Sequence, residues 1–375
     1  MTSLHFDALS LTPETRKAID EMGYRQASAI QAQTIPLMRQ GLDLIGQAQT
    51  GGGKTAAFAI PLIERTDPQD MYVQALTLCP TRELALQVCG EFQKLGKYRR
   101  YFFTAALYGG QPIERQLRQL RQRPPIVIGT PGRVLDLIRR GALDLSRVKT
   151  VVLDEADEML NMGFRPDIER ILAYTPETRQ TVFFSATMPR PILEMSARYL
   201  KNPQHIQAQR HDEPVAEIEQ SYFEVPRAGK MAVLTHLIAE RPSARALIFC
   251  NTKWGVDSLV KRLKNLGIEA EGLHGGKTQP QRDRIMNSFR QGATHLLVAT
   301  DVAARGLHVD NIEAVINYDL PKNTEFYVHR IGRTGRAGKS GRAFTFVEAS
   351  EFQQLRQIRR YANARLVRQE LPARA

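Results

Sequence analysis

A glycine-rich turn near the start of the chain constrains everything after it. From Ala48 the sequence runs small residue, four others, then Gly53, Lys54 and Thr55, the spacing of a phosphate cradle. Leu44 and Ile45 ahead of it have strand character, and the run from Lys54 to Ile60 reads as a helix start. Strand, glycine turn, helix is the order a triphosphate site requires, because N–H groups of the turn and of the helix N-terminus converge on the anion. Glycines at Gly51, Gly52 and Gly53 let the backbone approach without Cβ clashes. In such a site Lys54 neutralises the β- and γ-phosphates and the Thr55 hydroxyl ligates Mg²⁺. Three glycines by themselves also suit a plain flexible turn, so a second piece must supply a metal-binding carboxylate and a base.

The chain has 375 residues, more than one ordinary core accommodates, and two domains are expected. With 42% hydrophobic and 24% charged residues it is globular rather than disordered. A net charge of +13 favours a polyanionic partner, nucleic acid first, although a solvated basic surface gives the same sum. The cysteines, Cys79, Cys89 and Cys250, form no CxxC pair. That argues against a zinc site or a disulfide framework and suits a reducing cytosol. No apolar run is long enough to span a bilayer, and the N-terminus lacks a signal-peptide core. A cytoplasmic protein without a membrane partner is expected, and nothing indicates an oligomer.

Thr12, Pro13 and Glu14 mark a helix start, with Thr12 as its cap. Tyr24 and Gln31 lie just upstream of the phosphate turn. An aromatic face and a side-chain amide are what an adenine needs, although Tyr24 alone reads equally as core packing. After the turn, apolar runs alternate with helical segments, the pattern of a parallel sheet with crossover helices. The runs end at Cys79, Ile128, Leu153 and Phe184, and polar or glycine-containing stretches follow each: 80–85, 130–133, 154–157 and 185–187. Open parallel sheets bind ligands at those carboxyl ends. Asp154 follows three apolar residues and is placed to hold Mg²⁺ through its water shell, and Glu155 to orient and deprotonate the attacking water. Asp157 alone also reads as a helix cap.

The polar, aperiodic stretch after Pro203 holds the interdomain linker. The expected division is a first domain over 1–207, a linker over 208–217, a second domain over 218–362 and a basic tail over 363–375. A second alternating series follows the linker, with runs at 246–250, 296–299, 315–317 and 343–347. This half has no phosphate cradle. It carries Gln279 to Arg282, Thr300 to Gly306 and His329 to Arg336. Arginines spaced by glycines can be loop surface, but Arg333 and Arg336 fit transition-state cations brought to a phosphate from another domain. The arginine-rich stretch after Glu351 is a basic contact surface or a solvated end.

Taken in order from Phe6 to about Val347, these stretches resemble the DEAD-box RNA helicases, whose name Asp154-Glu-Ala-Asp157 spells. The resemblance implies an α/β protein of two RecA-like parallel-sheet domains joined by a flexible linker. It implies ATP and Mg²⁺ as cofactors and RNA, largely sequence-independent, as partner, with ribonucleoprotein partners possible. Gly23 to Gln31 is similar to the motif that selects adenine, with Phe6 at the family's upstream aromatic position. Ala48, Thr50, Gly51, Gly52, Gly53, Lys54 and Thr55 are similar to motif I, and Asp154 to Asp157 to motif II. Ser185 and Thr187, like Asp157, are implied to couple hydrolysis to unwinding. RNA-backbone contact is implied for Pro80, Thr81, Arg82, Gly109, Gly110, Thr130, Pro131, Gly132 and Arg133, and in the second half for Gln279, Arg282, Thr300 and Asp301. His329 to Arg336 resembles motif VI, with His329 and Arg305 assigned to coupling. Gly52 stands where the family usually has serine, and His308 where it has an aspartate that helps join the ribose to the second domain. The implied activity is an ATP-dependent RNA helicase that grips RNA backbone across both domains and separates short duplexes locally. A DNA helicase and an ATP-gated RNA clamp with weak hydrolysis are the rivals; His308 keeps the second alive.

Overall fold

The computed structural model describes residues 4–48, 52–67, 69–207, 218–304, 312–335, 340–362 and 366–370. The chain divides into two units, 1–211 and 212–375. The expected linker, 208–217, lies outside the described residues.

The first unit is built on a seven-stranded parallel sheet. Its strands lie in the order Thr104–Leu107, Ile126–Gly129, Ala75–Leu78, Thr150–Leu153, Gln180–Ser185, Leu44–Gln47 and Gln204–Gln207. The inner strands read as unbroken apolar runs because both faces of the sheet are covered. Val152, Val182 and Phe184 enter one core, which also takes Phe58 and Phe92 from helices Lys54–Arg65 and Arg82–Leu95. Val151, Leu153 and Phe183, one residue out of phase, enter the other with Leu135, Ile138 and Ile171. At the N-terminal edge, Thr12 caps helix Pro13–Glu21 by accepting the Thr15 N–H at 3.4 Å.

The second unit repeats the plan. Its seven parallel strands run Glu271–Leu273, Leu296–Ala299, Ala246–Phe249, Ala314–Asn317, Gly341–Val347, Ile218–Glu224 and Val367–Gln369. The two all-parallel sheets with crossover helices are the RecA-like architecture. Within the stretch 363–375, expected as a basic tail, Val367–Gln369 pairs in parallel with Ser221–Phe223 as an edge strand, and Leu366 beside it is buried in the core.

In both sheets the stretches singled out in the sequence leave the same, carboxyl edge. The strand ending in Ser185 lies between the strand that leads to the phosphate turn and the one that ends before Asp154. Topology alone therefore places the stretch 185–187 beside both.

Candidate active site

Strand Leu44–Gln47 delivers the chain to the turn, and helix Lys54–Arg65 starts directly after it with Gly53 as its cap. Gly53 sits at φ 83°, and a Cβ there would lie 2.5 Å from Gln31 Nε2. Only glycine fits both demands. The upstream segment is tied to the turn by side chains. Ser28 Oγ donates to the Gly52 carbonyl at 3.0 Å, and Gln31 Nε2 donates to the Gly53 carbonyl at 3.1 Å. Gln31 Oε1 accepts the Ser28 N–H at 2.9 Å, closing a capping box at the start of helix Ala29–Arg39. The Gln31 amide expected to face an adenine thus also braces the phosphate turn. Tyr24, 37% exposed, stacks on buried Phe6 with ring centroids 6.4 Å apart, which leaves much of its surface open. Ala48 is buried, and its N–H donates to the Ser185 carbonyl at 3.1 Å. Thr50 and Gly51 lie outside the described residues.

Lys54 and Asp154 are both buried, yet Lys54 Nζ and Asp154 Oδ1 have no hydrogen-bond partner among the described residues. Burial pushes the Asp154 carboxyl up to about 7; the Lys54 ammonium pulls it back in part, and Glu155 raises it further. A cation beside Asp154 would return it to the ionised form. Oxygen donors of this kind, the carboxylate of Asp154 and the half-buried hydroxyl of Thr55, suit a hard divalent cation that shares its shell with phosphate oxygens. Glu155 is buried and adopts a left-handed conformation, φ 53° and ψ 53°. For a glutamate that costs on the order of 1–2 kcal/mol, a strain typical of functional positions.

Asp157 is saturated by contrast. Its Oδ2 accepts the N–H and the hydroxyl of Thr187 at 2.9 and 2.8 Å, and its Oδ1 accepts the Glu158 N–H at 3.0 Å. Ser185 Oγ takes the Asp157 N–H at 3.3 Å and donates to the Thr187 carbonyl at 2.7 Å. The acidic stretch and the 185–187 turn therefore form one hydrogen-bonded body.

In the second unit the dominant feature is Arg330, a residue that reading the sequence passed over. It is fully buried, and all five of its N–H donors are used. Nε and Nη2 bond the two oxygens of Asp301 at 2.6 and 2.7 Å. Nη2 also reaches Asn251 Oδ1 at 2.9 Å, while Nη1 bonds Asn317 Oδ1 at 3.2 Å and the Asp319 carbonyl at 2.7 Å. These acceptors stand at the carboxyl ends of three adjacent strands. Helix Thr324–Ile331 is pinned there, and one turn later Arg333 is buried with its N–H on the Arg330 carbonyl at 3.1 Å and its Nε on the His329 carbonyl at 3.3 Å.

The chain matches known proteins over most of its length. A family model described as DEAD/DEAH box helicase matches residues 28–195, and one described as helicase conserved C-terminal domain matches residues 229–338. The chain is 48% identical over 367 residues to the DEAD-box ATP-dependent RNA helicase CshA of Geobacillus kaustophilus (strain HTA426), covering 98% of this chain and 78% of that one. This chain belongs to the DEAD-box helicases. Among solved structures it is similar to S. cerevisiae Dbp5 bound to RNA and ADP BeF3, with a TM-score of 0.87 and 34% identity, covering 97% of this chain and 95% of that one. It is also similar to Mss116p bound to ssRNA and AMP-PNP, with a TM-score of 0.88 and 30% identity, covering 100% of this chain and 81% of that one.

In this DEAD-box protein the residues expected at RNA are spread along the carboxyl edges of the two sheets. Thr81 caps helix Arg82–Leu95 by accepting the Leu84 N–H at 3.2 Å, next to buried Pro80. Arg82 lies 4.6 Å over the Tyr108 ring, immediately before exposed Gly109 and Gly110. Thr130, Pro131 and Gly132 open helix Pro131–Arg139, and Arg133 Nη2 donates to the Gln111 carbonyl at 3.3 Å. In the second unit Gln279 and half-buried Arg282 stand in the first turn of helix Gln279–Gln291, with Gln279 Nε2 on Asp283 at 2.8 Å. Half-buried Thr300 directly follows strand Leu296–Ala299. Asp301 follows it with both carboxylate oxygens committed to Arg330, a brace rather than an open contact. Half-buried His329 is on the same helix as Arg330. Arg305, His308 and Arg336 lie outside the described residues. Of the supporting residues missed, Ser28 carried a signal in its capping-box spacing to Gln31. Arg330 lay within the stretch His329 to Arg336 without being singled out, and Asn251 and Asn317 carried no signal, because their partners are remote in sequence.

Proposed function

We propose that the chain is an RNA-stimulated ATPase that uses ATP hydrolysis to separate short RNA duplexes. The observation that carries this reading is the pair of buried, unpartnered groups, Lys54 Nζ and Asp154 Oδ1, which follow the carboxyl ends of two strands with one strand between them. A charge buried without a partner is costly and tends toward its neutral form, as the raised Asp154 carboxyl does, unless a ligand of opposite sign meets it; a nucleoside triphosphate with a divalent cation supplies both signs. Lys54 and the N–H groups of the turn bind the β- and γ-phosphates. Tyr24 and Gln31 hold the adenine. Thr55 and Asp154 are the residues that would hold Mg²⁺, which when bound neutralises phosphate charge. Glu155 orients the attacking water and takes its proton. Arg333 and Arg336 are the cations for the transferred phosphoryl group, and the body formed by Asp157, Ser185 and Thr187 passes the state of the nucleotide on.

RNA is held at the carboxyl edges, by Pro80, Thr81, Arg82, Gly109, Gly110, Thr130 to Arg133, Gln279, Arg282 and Thr300. Contacts of this kind go to phosphate and 2′-hydroxyl, so sequence preference is weak. ATP and RNA stabilise the same state of the chain, and by linkage each raises affinity for the other. The buried free thiols of Cys79, Cys89 and Cys250 support a cytoplasmic location. Among the described residues no helix is long and apolar enough to cross a membrane.

The test is ATPase activity with RNA, with DNA of the same length, and without either. Glu155→Gln keeps size and metal geometry, so it is expected to retain ATP and RNA while nearly abolishing turnover. Lys54→Ala is expected to lose nucleotide affinity itself. Equal stimulation by DNA, or full turnover in Glu155→Gln, overturns the reading.

A further inference from the structure

Trp254 is the chain's one tryptophan, and it is 72% exposed. A residue whose ring normally buries some 150–250 Å² is here left in water, at the second position of helix Lys253–Asn265. The helix start is well fixed: Thr252 caps it, accepting the Gly255 N–H at 2.9 Å. The position is informative. The helix leaves the carboxyl end of strand Ala246–Phe249, the neighbour of Leu296–Ala299, whose other neighbour is Glu271–Leu273. Cα–Cβ bonds of a helix tilt toward its N-terminus, and here that is the edge where the proposed RNA contacts Gln279, Arg282 and Thr300 stand.

The surroundings favour a polyanion. Lys253 is exposed and has no ion pair among the described residues. Its stem lies across the Gly275–Gly276 turn, within 3.7 Å of where a Gly275 Cβ would be. Asp257, one helical turn beyond Trp254, is already paired with the Lys277 ammonium at 2.9 Å and hydrogen-bonded to His274 at 3.1 Å. An exposed indole beside a free ammonium, continuous with backbone-binding residues, is the composition of a single-strand stacking platform.

We propose that Trp254 stacks on a base of the bound single-stranded RNA, adding one base contact to a grip otherwise made to the backbone. This rests on the RNA-binding reading above. The test titrates the full chain, with AMP-PNP present, with a short oligoadenylate and with the same oligomer carrying abasic sites. Because there is one tryptophan, its fluorescence reports this position alone. Oligoadenylate is expected to quench it and the abasic oligomer to quench it far less. Trp254→Ala is expected to weaken oligoadenylate binding roughly 5- to 100-fold, the scale of one base–aromatic stack. Trp254→Phe is expected to keep most of the affinity, and the abasic oligomer to bind wild type and Trp254→Ala alike. If oligoadenylate binds wild type and stimulates its ATPase while leaving fluorescence unchanged, or binds Trp254→Ala equally well, the proposal is overturned and the indole belongs to a protein partner. If wild type neither binds nor responds to oligoadenylate, the RNA reading itself falls, and this one with it.

Discussion

Replacing Arg330 tests whether a fully satisfied buried cation, rather than any positive charge, holds the turn that carries Arg333 in place. The guanidinium has five N–H donors and five acceptors within 3.2 Å, from Asp301, Asn251, Asn317 and Asp319. It also lies 5.0 Å over the Phe249 ring. Arg330→Met fills much of the volume but leaves a largely buried carboxylate, two amide oxygens and a carbonyl without their donor. Breaking a buried pair from one side costs about 3–5 kcal/mol. Arg330→Lys keeps the charge but offers three donors from one point, so at least two of the five acceptors go unmet, for a loss of about 2–3 kcal/mol.

With a urea dependence of about 2 kcal/mol/M, these losses lower the unfolding midpoint by roughly 1–1.5 M for Arg330→Lys and 1.5–2.5 M for Arg330→Met. Circular dichroism against urea on the full chain reads this directly. Turnover in the absence of urea should fall as well, since Arg333 hangs on the same helical turn through its bond to the Arg330 carbonyl. Removing the acid along with the base, as Arg330→Met with Asp301→Leu, should recover part of the stability lost by Arg330→Met alone. An Arg330→Lys midpoint equal to that of wild type refutes the claim that the fork geometry matters. A double variant less stable than the sum of its singles refutes the buried-pair account.

Two other substitutions probe the first unit. Gly53→Ala must hold φ near 83° and place a Cβ 2.5 Å from Gln31 Nε2; strain of about 1–2 kcal/mol and a lost hydrogen bond of about 1 kcal/mol should lower ATP affinity roughly 30- to 150-fold by calorimetry, and unchanged affinity means the turn tolerates a side chain. Thr187→Ala removes the hydroxyl that Asp157 Oδ2 accepts at 2.8 Å but keeps the backbone N–H bond; a charge-assisted bond of about 1.5–3 kcal/mol should cut duplex separation at least about tenfold while RNA-stimulated ATPase stays within roughly threefold, with Thr187→Ser restoring separation, and a parallel loss of both activities removes Thr187 from coupling.

The interior strands were legible because they are buried on two faces and so read as uninterrupted apolar runs, as in Val151–Leu153 and Leu296–Ala299. Strands at or near the sheet edges were not. Gln204–Gln207 buries only Ile206, and Val367–Gln369 buries none of its three residues. Their stabilisation is mostly backbone pairing, which leaves no imprint on side-chain choice. That is why the first was absorbed into a polar stretch and the second into a tail. Thr104–Leu107 failed for another reason: it is buried, but two of its four residues are alanines, too little apolar surface to stand out.

For the site, sequence order placed the phosphate turn and the acidic stretch, whose residues are contiguous. It did not separate two kinds of buried charge, which look identical in a sequence. Arg330 recovers its desolvation cost internally, because every donor it carries meets an acceptor. Lys54 Nζ and Asp154 Oδ1 have no hydrogen-bond partner among the described residues. The lifted Asp154 carboxyl shows that burden directly: burial dominates, and the Lys54 ammonium offsets it only in part. A protein of ordinary marginal stability carries such a deficit of several kcal/mol only where a ligand repays it. It follows that nucleotide with its cation stabilises the first unit in proportion to its binding, and that the effect of removing one of these charges depends on whether ligand is present. Without ligand, Lys54→Met removes one buried charge and drives the Asp154 carboxyl further up, so the fold is expected to change little in stability, whereas with ATP present the variant forfeits the repayment. A satisfied cation such as Arg330 has no such ligand dependence, so the size of the ligand-free effect is what tells a binding charge from a structural one.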